Sequence, residues 1–262
     1  MKKGKVFRFF YLLVLMAFAV SGTALAVRLA ELRRGDAFYE QAEETGEQTS
    51  SSSAGRSPAM PAAQPVAPQE QEAGPTAPEK QELSVHLAQF AEEYPDAVLW
   101  LQLPDTSLDY PVMLGTDNQF YLDHLPDKTR NTLGSLFLDH RTGEDSVHLI
   151  VYGHNGAGGK MFGLLKEYAS QDYFLEHRTL TAATADCVYT CPIFSVRWVE
   201  ADSDAYRLEF EEDGLRNYIE QAAAESIYPI DVDLKDAAGV LTLSTCTGWR
   251  RSQRLIVQAL LQ

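Results

Sequence analysis

Nineteen consecutive residues, Phe9 to Val27, carry no charge. As a helix rising 1.5 Å per residue, this run spans roughly 28 Å, close to the ~30 Å hydrocarbon core of a bilayer. Lys2, Lys3, Lys5 and Arg8 precede it, and Arg28, Arg33 and Arg34 follow it. The pattern reads as an uncleaved single-pass signal anchor over residues 9–27, with a basic cytoplasmic N-terminus over residues 1–8. A cleaved signal peptide is the alternative, because Ala24-Leu25-Ala26 resembles an A-x-A cleavage site. Both readings put residues 28–262 on the outer side of the cell membrane.

Residues 28–81 read as a juxtamembrane stretch and a disordered linker. From residue 41 onward the composition is Glu, Gln, Ser, Ala and Pro, and six of the 12 prolines fall between Pro58 and Pro78. With few large apolar side chains, nothing there offsets the entropy of ordering the chain. The charge divides at the same place. Residues 1–80 balance to zero, and the whole formal charge of −15 falls on residues 81–262. Such an acidic domain is unsuited to nucleic acid, which needs a basic face to neutralise phosphates.

Residues 82–262 are expected to form one domain. Leu83, Leu87, Phe90 and Ala91 share a face, which predicts a helix over Ser84–Tyr94 stopped by Pro95. Short apolar runs follow, bounded by turn residues: Val98–Leu103, Tyr110–Met113, Ser135–Leu138, His148–Tyr152, Leu180–Thr184, Cys187–Val196, Val240–Thr245 and Leu255–Leu261. Their Val, Ile, Thr and aromatic content predicts strands, while Leu164–Tyr168 and Asp213–Ala224 read as helical. Many short strands with few helices predict a mostly-β barrel or sandwich.

Three cysteines are candidates for chemistry. Cys187 and Cys191 lie four apart in a strand-like run and read as small buried side chains. No second Cys or His pair at zinc spacing accompanies them, so no metal centre is expected. Cys246 ends a strong strand and precedes a polar stretch holding Arg250, Arg251 and Arg254. Cations favour the thiolate, the reactive form of the side chain. By position alone Cys246 is either a nucleophile or a core cysteine. Among the six histidines, His154 stands apart: it follows the strand His148–Tyr152 and opens the glycine-rich loop Gly153–Gly159. That loop lacks the GK[ST] ending of a phosphate-binding loop. Cysteine acyl transfer needs an imidazole for proton transfer and a donor for the oxyanion. His154 and an arginine after Cys246 have the required chemistry.

These residues resemble a known family. Leu241-Thr-Leu-Ser-Thr-Cys246 is similar to the TLxTC signature of sortases, the transpeptidases of Gram-positive cell surfaces. Val151-Tyr-Gly-His154-Asn resembles the sortase histidine motif, and Arg254 falls at the spacing of the family's arginine. The helix before Asp96–Leu101, the segments Leu108–Val112 and Thr116–Leu122, and the helix-bearing insertion at Asp213–Ala224 resemble class B in particular. Trp249 and the Arg250–Arg251 pair depart from the polar loop common in relatives.

The resemblance implies an eight-stranded β-barrel with an N-terminal helix, a helix in the insertion before the cysteine strand, and no cofactor or metal. It implies a cysteine transpeptidase that cleaves a C-terminal sorting signal through a thioester on Cys246. His154 would protonate the leaving amine and Arg254 would steady the carbonyl. Asn118, Leu122, Tyr152, Ser244 and Thr245 would hold the peptide. The partners implied are a sorting-signal peptide of a secreted protein and an amine of a lipid II-like peptidoglycan precursor or of a pilin.

Overall fold

The computed structural model describes the backbone of residues 2–51, 77–143, 146–211, 213–233, 237–246 and 253–262. Side chains are described for residues 16–43, 82–143, 146–211, 213–233, 237–245 and 253–262. Eight strands close into a barrel: β1 (Ala97–Gln102), β2 (Asp109–Met113), β3 (Leu136–Leu138), β4 (His148–Gly153), β5 (Thr179–Ala183), β6 (Val188–Glu200), β7 (Gly239–Cys246) and β8 (Gln253–Leu261). Their order around the barrel is β1-β2-β3-β4-β7-β8-β6-β5. The pairs β2–β3 and β4–β7 are parallel and the others antiparallel. Among the described residues, closure pairs every strand of the barrel with two neighbours.

Several strands are apolar on both faces because the barrel is covered as well as filled. Leu99, Leu101, Val151, Leu243 and Val257 belong to the interior. On the outside, helix α2 (Ala77–Glu93) lays Leu87 and Phe90 against Trp100 of β1. On another side, helix α4 (Gly214–Ala224) sets Tyr218, Ile219 and Ala222 over Phe194, Val240 and Leu260. Strands buried on both faces read as continuous apolar runs rather than alternating ones. This is why β7 and β8 were so plain in the sequence. Helix α3 (Gln171–Glu176) was not anticipated.

The juxtamembrane stretch after residue 28 and the first residues of the linker expected from residue 41 are folded onto the barrel. Helix α1 runs from Lys2 to Ser51. Gly35, Tyr39 and Ala42, at helical spacing, form its buried stripe. The Tyr39 ring meets Tyr110 edge to face, and its hydroxyl lies 3.0 Å from Gly134 O and 3.1 Å from Ser135 Oγ. Asn131 Nδ2 donates to Glu31 O at 2.7 Å, Ala42 O lies 2.9 Å from His86 Nε2, and Lys160 pairs with Asp36. A few aromatic and small side chains suffice for this docking, so the polar composition concealed it. Residues 52–76 of the expected linker lie outside the described residues.

The uncharged run 9–27 lies within α1, with the side chains of residues 9–15 outside those described. Met16, Phe18, Val20, Leu25 and Val27 are exposed. Among the described residues no helix is long and apolar enough to cross a membrane.

Cys187 corrects another expectation. It is exposed, whereas Cys191 is buried. Cys187 N donates to Thr184 Oγ1 at 3.1 Å, and Thr184 N donates to Cys187 O at 2.8 Å. Cys187 thus closes the turn between β5 and β6 and precedes the strand instead of belonging to it.

Candidate active site at one rim of the barrel

Parallel pairing of β4 and β7 carries the site. Their register runs from His148 opposite Val240 to Gly153 opposite Thr245. The next residue on each strand's path is His154 on one side and Cys246 on the other. Neighbouring strands lie about 4.8 Å apart, so the two backbones leave the sheet side by side. β8 returns antiparallel along β7, with Arg254 opposite Cys246. His154, distant in sequence, therefore stands in one row with Cys246 and Arg254 across three adjacent strands. The Cys246 side chain and residues 247–252, which include Trp249, Arg250 and Arg251, lie outside the described residues.

Local packing fixes the end of β4. A Cβ on Gly153 would sit 2.4 Å from Leu136 Cδ2 and 2.8 Å from the Phe162 ring, so only glycine fits at the strand end. The His154 carbonyl then accepts N–H groups from Gly156 and Phe162, each at 2.9 Å, which folds the following loop back on itself. The His154 ring lies with Nε2 2.6 Å from the Leu122 carbonyl oxygen. A carbonyl only accepts, so Nε2 carries the proton in this contact. Leu122, expected as a peptide contact, holds the histidine through its backbone while its side chain is exposed. Arg254 is half-buried, with Nη1 donating to Gln253 O at 3.0 Å.

The other expected groove residues divide. Tyr152 and Asn118 meet at Asp139, with Tyr152 Oη 3.0 Å and Asn118 Nδ2 3.2 Å from Asp139 Oδ2. Tyr152 is paired in register with Ser244, two residues ahead of Cys246. Ser244 Oγ lies 2.9 Å from the Tyr206 hydroxyl, and the Tyr206 ring stacks on Tyr152 at 6.2 Å. Thr245 is on the opposite strand face, with Leu241 and Leu243 of the interior. Among the described residues its buried hydroxyl has no hydrogen-bond partner.

Tyr206 and Asp139 were missed in the sequence. Tyr206 ends a single 3-10 turn, Asp204–Tyr206, too short to leave a periodicity, yet the fold pins it from both sides. Tyr218 Oη donates to Ala205 O at 3.0 Å, and His148 Nδ1 lies 2.7 Å from Arg207 O. His148 Nε2 lies 2.7 Å from Thr242 Oγ1, and Gln258 Nε2 donates to both Thr242 Oγ1 and Tyr218 Oη. Burial, then the nearby Arg197 and Arg207 charges, hold His148 down to about 4, so it is neutral at pH 7. For Asp139 the usable signal was its place directly after β3, where a charged residue ends a buried strand.

The family model described as Sortase domain matches residues 101–262, and the chain belongs to the sortase family. The likeness is to class B members. Sortase B of Listeria monocytogenes is 32% identical over 156 residues, 58% of this chain and 63% of that protein. The chain thus spans less than two thirds of the length of the two curated relatives it matches. The crystal structure of Clostridium perfringens sortase B superimposes with a TM-score of 0.61 at 27% identity, covering 66% of this chain and 97% of that one. A Staphylococcus aureus sortase B–substrate complex gives 0.63 at 25% identity, covering 69% and 86%.

Proposed function

We propose that this chain is a membrane-anchored class B transpeptidase that cleaves a sorting signal and joins the acyl fragment to an amine. The observation that carries the reading is the row His154–Cys246–Arg254 across β4, β7 and β8. In the reaction, the Cys246 thiolate adds to the carbonyl carbon of the scissile amide, forming a C–S bond and an oxyanion. The Arg254 guanidinium stabilises that oxyanion as a charged donor. The C–N bond breaks, His154 gives its proton to the departing amine, and a thioester remains. A second amine attacks the thioester, its proton passes to His154, and the thiolate returns. Atoms and charge balance without a cofactor.

The peptide reading is supported by the likeness to a relative solved with its substrate. Asn118, Tyr152, Ser244 and Tyr206 would line its groove. Leu122 would contribute chiefly by holding His154, and Thr245 from the interior side of the strand. The acceptor amine would come from a lipid II-like peptidoglycan precursor or a pilin. Anchoring rests on the basic N-terminus and the uncharged run 9–27.

The test uses the purified full chain in detergent with a peptide library and mass spectrometry. The expected result is cleavage at one class of motif, with an acyl adduct on Cys246 when the acceptor is withheld. Cys246→Ala and His154→Ala should each abolish turnover and Arg254→Ala should lower it severely, while the fold is kept. Full activity in Cys246→Ala overturns the proposal.

A further inference from the structure

A carboxylate without contact to solvent stands behind the proposed groove wall. The Asp139 side chain is fully shielded and collects donors from three residues. Tyr152 Oη and Asn118 Nδ2 donate to Oδ2. Arg141 gives Nε to Oδ1 at 2.8 Å, Nη2 to Oδ2 at 2.9 Å, and its backbone N–H to Oδ1 at 3.0 Å. His140 Nδ1 is 3.7 Å from Oδ1.

An ionised carboxylate only accepts hydrogen bonds. Each neighbour must therefore turn a donor toward it, and this fixes what the neighbour shows elsewhere. Tyr152 gives its proton to Asp139 and keeps its oxygen lone pairs. Asn118 turns its NH₂ to Asp139, while its Oδ1 accepts the His140 N–H at 2.8 Å. Two partners of opposite type thus determine which way this amide faces. What remains is one N–H on Asn118 and an accepting oxygen on Tyr152. Both atoms touch the same Asp139 oxygen, so they lie about 6 Å apart at most. The Tyr152 ring is held between Phe137 at 5.5 Å and Tyr206, so its hydroxyl is not free to swing away.

A donor beside an acceptor is the complement of an amide group, whose oxygen accepts and whose N–H donates. We propose that Asp139 is a positioning residue that sets the hydrogen-bond polarity of the groove wall, so that Asn118 and Tyr152 together grip one amide of the peptide substrate. This rests on the transpeptidase reading. Burial works against the Asp139 charge, but the Arg141 contacts and the Tyr152 hydroxyl overcome it and hold the carboxyl at about 2, so the polarity is constant at neutral pH.

The experiment uses the full chain and the best peptide from the library, with esters replacing its amides one at a time. In the unaltered protein, one ester should raise KM about tenfold, the worth of one lost hydrogen bond. In Tyr152→Phe that same ester should cost nothing further. Asp139→Asn should raise KM about tenfold or more, with kcat changed less than threefold and Cys246 alkylation unchanged. A merely structural role would leave the ester scan intact, whatever the change in melting temperature. Cleavage by the unaltered protein with no KM change in Asp139→Asn overturns this inference alone. Absence of cleavage by the unaltered protein overturns the transpeptidase reading and the inference with it. If Asp139→Asn does not fold, Tyr152→Phe, Asn118→Ala and their double variant decide. A double loss smaller than the product of the singles supports the shared grip, and a loss equal to that product overturns it.

Discussion

The Leu122 carbonyl oxygen that accepts from His154 Nε2 is also the atom a side chain at Gly134 would strike first. Gly134 has φ +64°, and a Cβ there would lie 2.5 Å from Leu122 O and 2.8 Å from Tyr121 O. The seat of the histidine is therefore set by a glycine twelve residues further along the chain than the carbonyl it packs against.

Gly134→Ala should misplace that carbonyl and with it the imidazole. The expected outcome is a fall in kcat on the order of 10- to 100-fold. Stability should fall by about 1–2 kcal/mol from the left-handed backbone alone. Steady-state kinetics beside a thermal melt check both. An unchanged kcat would show that the Leu122 contact does not matter to the reaction.

Tyr39 joins α1 to the same region. Tyr39→Phe removes a buried hydroxyl near Gly134 O and Ser135 Oγ and should cost about 1 kcal/mol. Tyr39→Ala also empties the space beside Tyr110 and should cost about 3 kcal/mol. Urea midpoints give both values. Two variants of equal stability to the unaltered chain would mean that α1 is not docked.

Acid should act on the fold in two separate windows. His148 falls from its ordinary 6.5 to about 4 in the folded state, so the unfolded chain binds the extra proton between those values. Stability should drop by about 3 kcal/mol as pH falls from 6.5 to 4, and then level off for this group. Asp139 is depressed from 3.8 to about 2, so its contribution is complete above 3.8 and disappears as pH falls through 2. It amounts to about 2 kcal/mol. Denaturant midpoints across pH 2–7 locate the windows. His148→Gln should flatten the upper one and leave the lower one in place.

Arg254→Lys separates charge from geometry. The lysine keeps the charge but lacks the planar fork. A loss in kcat on the order of 10²–10³ is expected for Arg254→Ala, with partial retention in Arg254→Lys. Equal activity of the lysine variant and the unaltered protein would reduce the role of Arg254 to its charge.

All eight strands were legible in the sequence because burial on one or both faces concentrates Val, Leu and Ile in short runs. His154 and Cys246 were legible because each ends such a run. The adjacency of those two residues was not, since parallel pairing of β4 with β7 joins segments about ninety residues apart. Tyr206 was invisible for a related reason: its position comes from Tyr218 on α4, His148 on β4 and Gln258 on β8, which only the fold brings together around it. The docking of α1 was not legible because it uses Gly35, Tyr39 and Ala42 within a polar stretch, too few apolar residues to stand out.

The side-by-side exit of β4 and β7 has a consequence for how such a protein can vary. Everything between Glu200 and Gly239, α4 included, could lengthen or shorten without changing the separation of acid and nucleophile, because backbone ladders, not connecting loops, maintain it. New recognition surfaces can be tried on that excursion while the reacting pair stays at constant spacing.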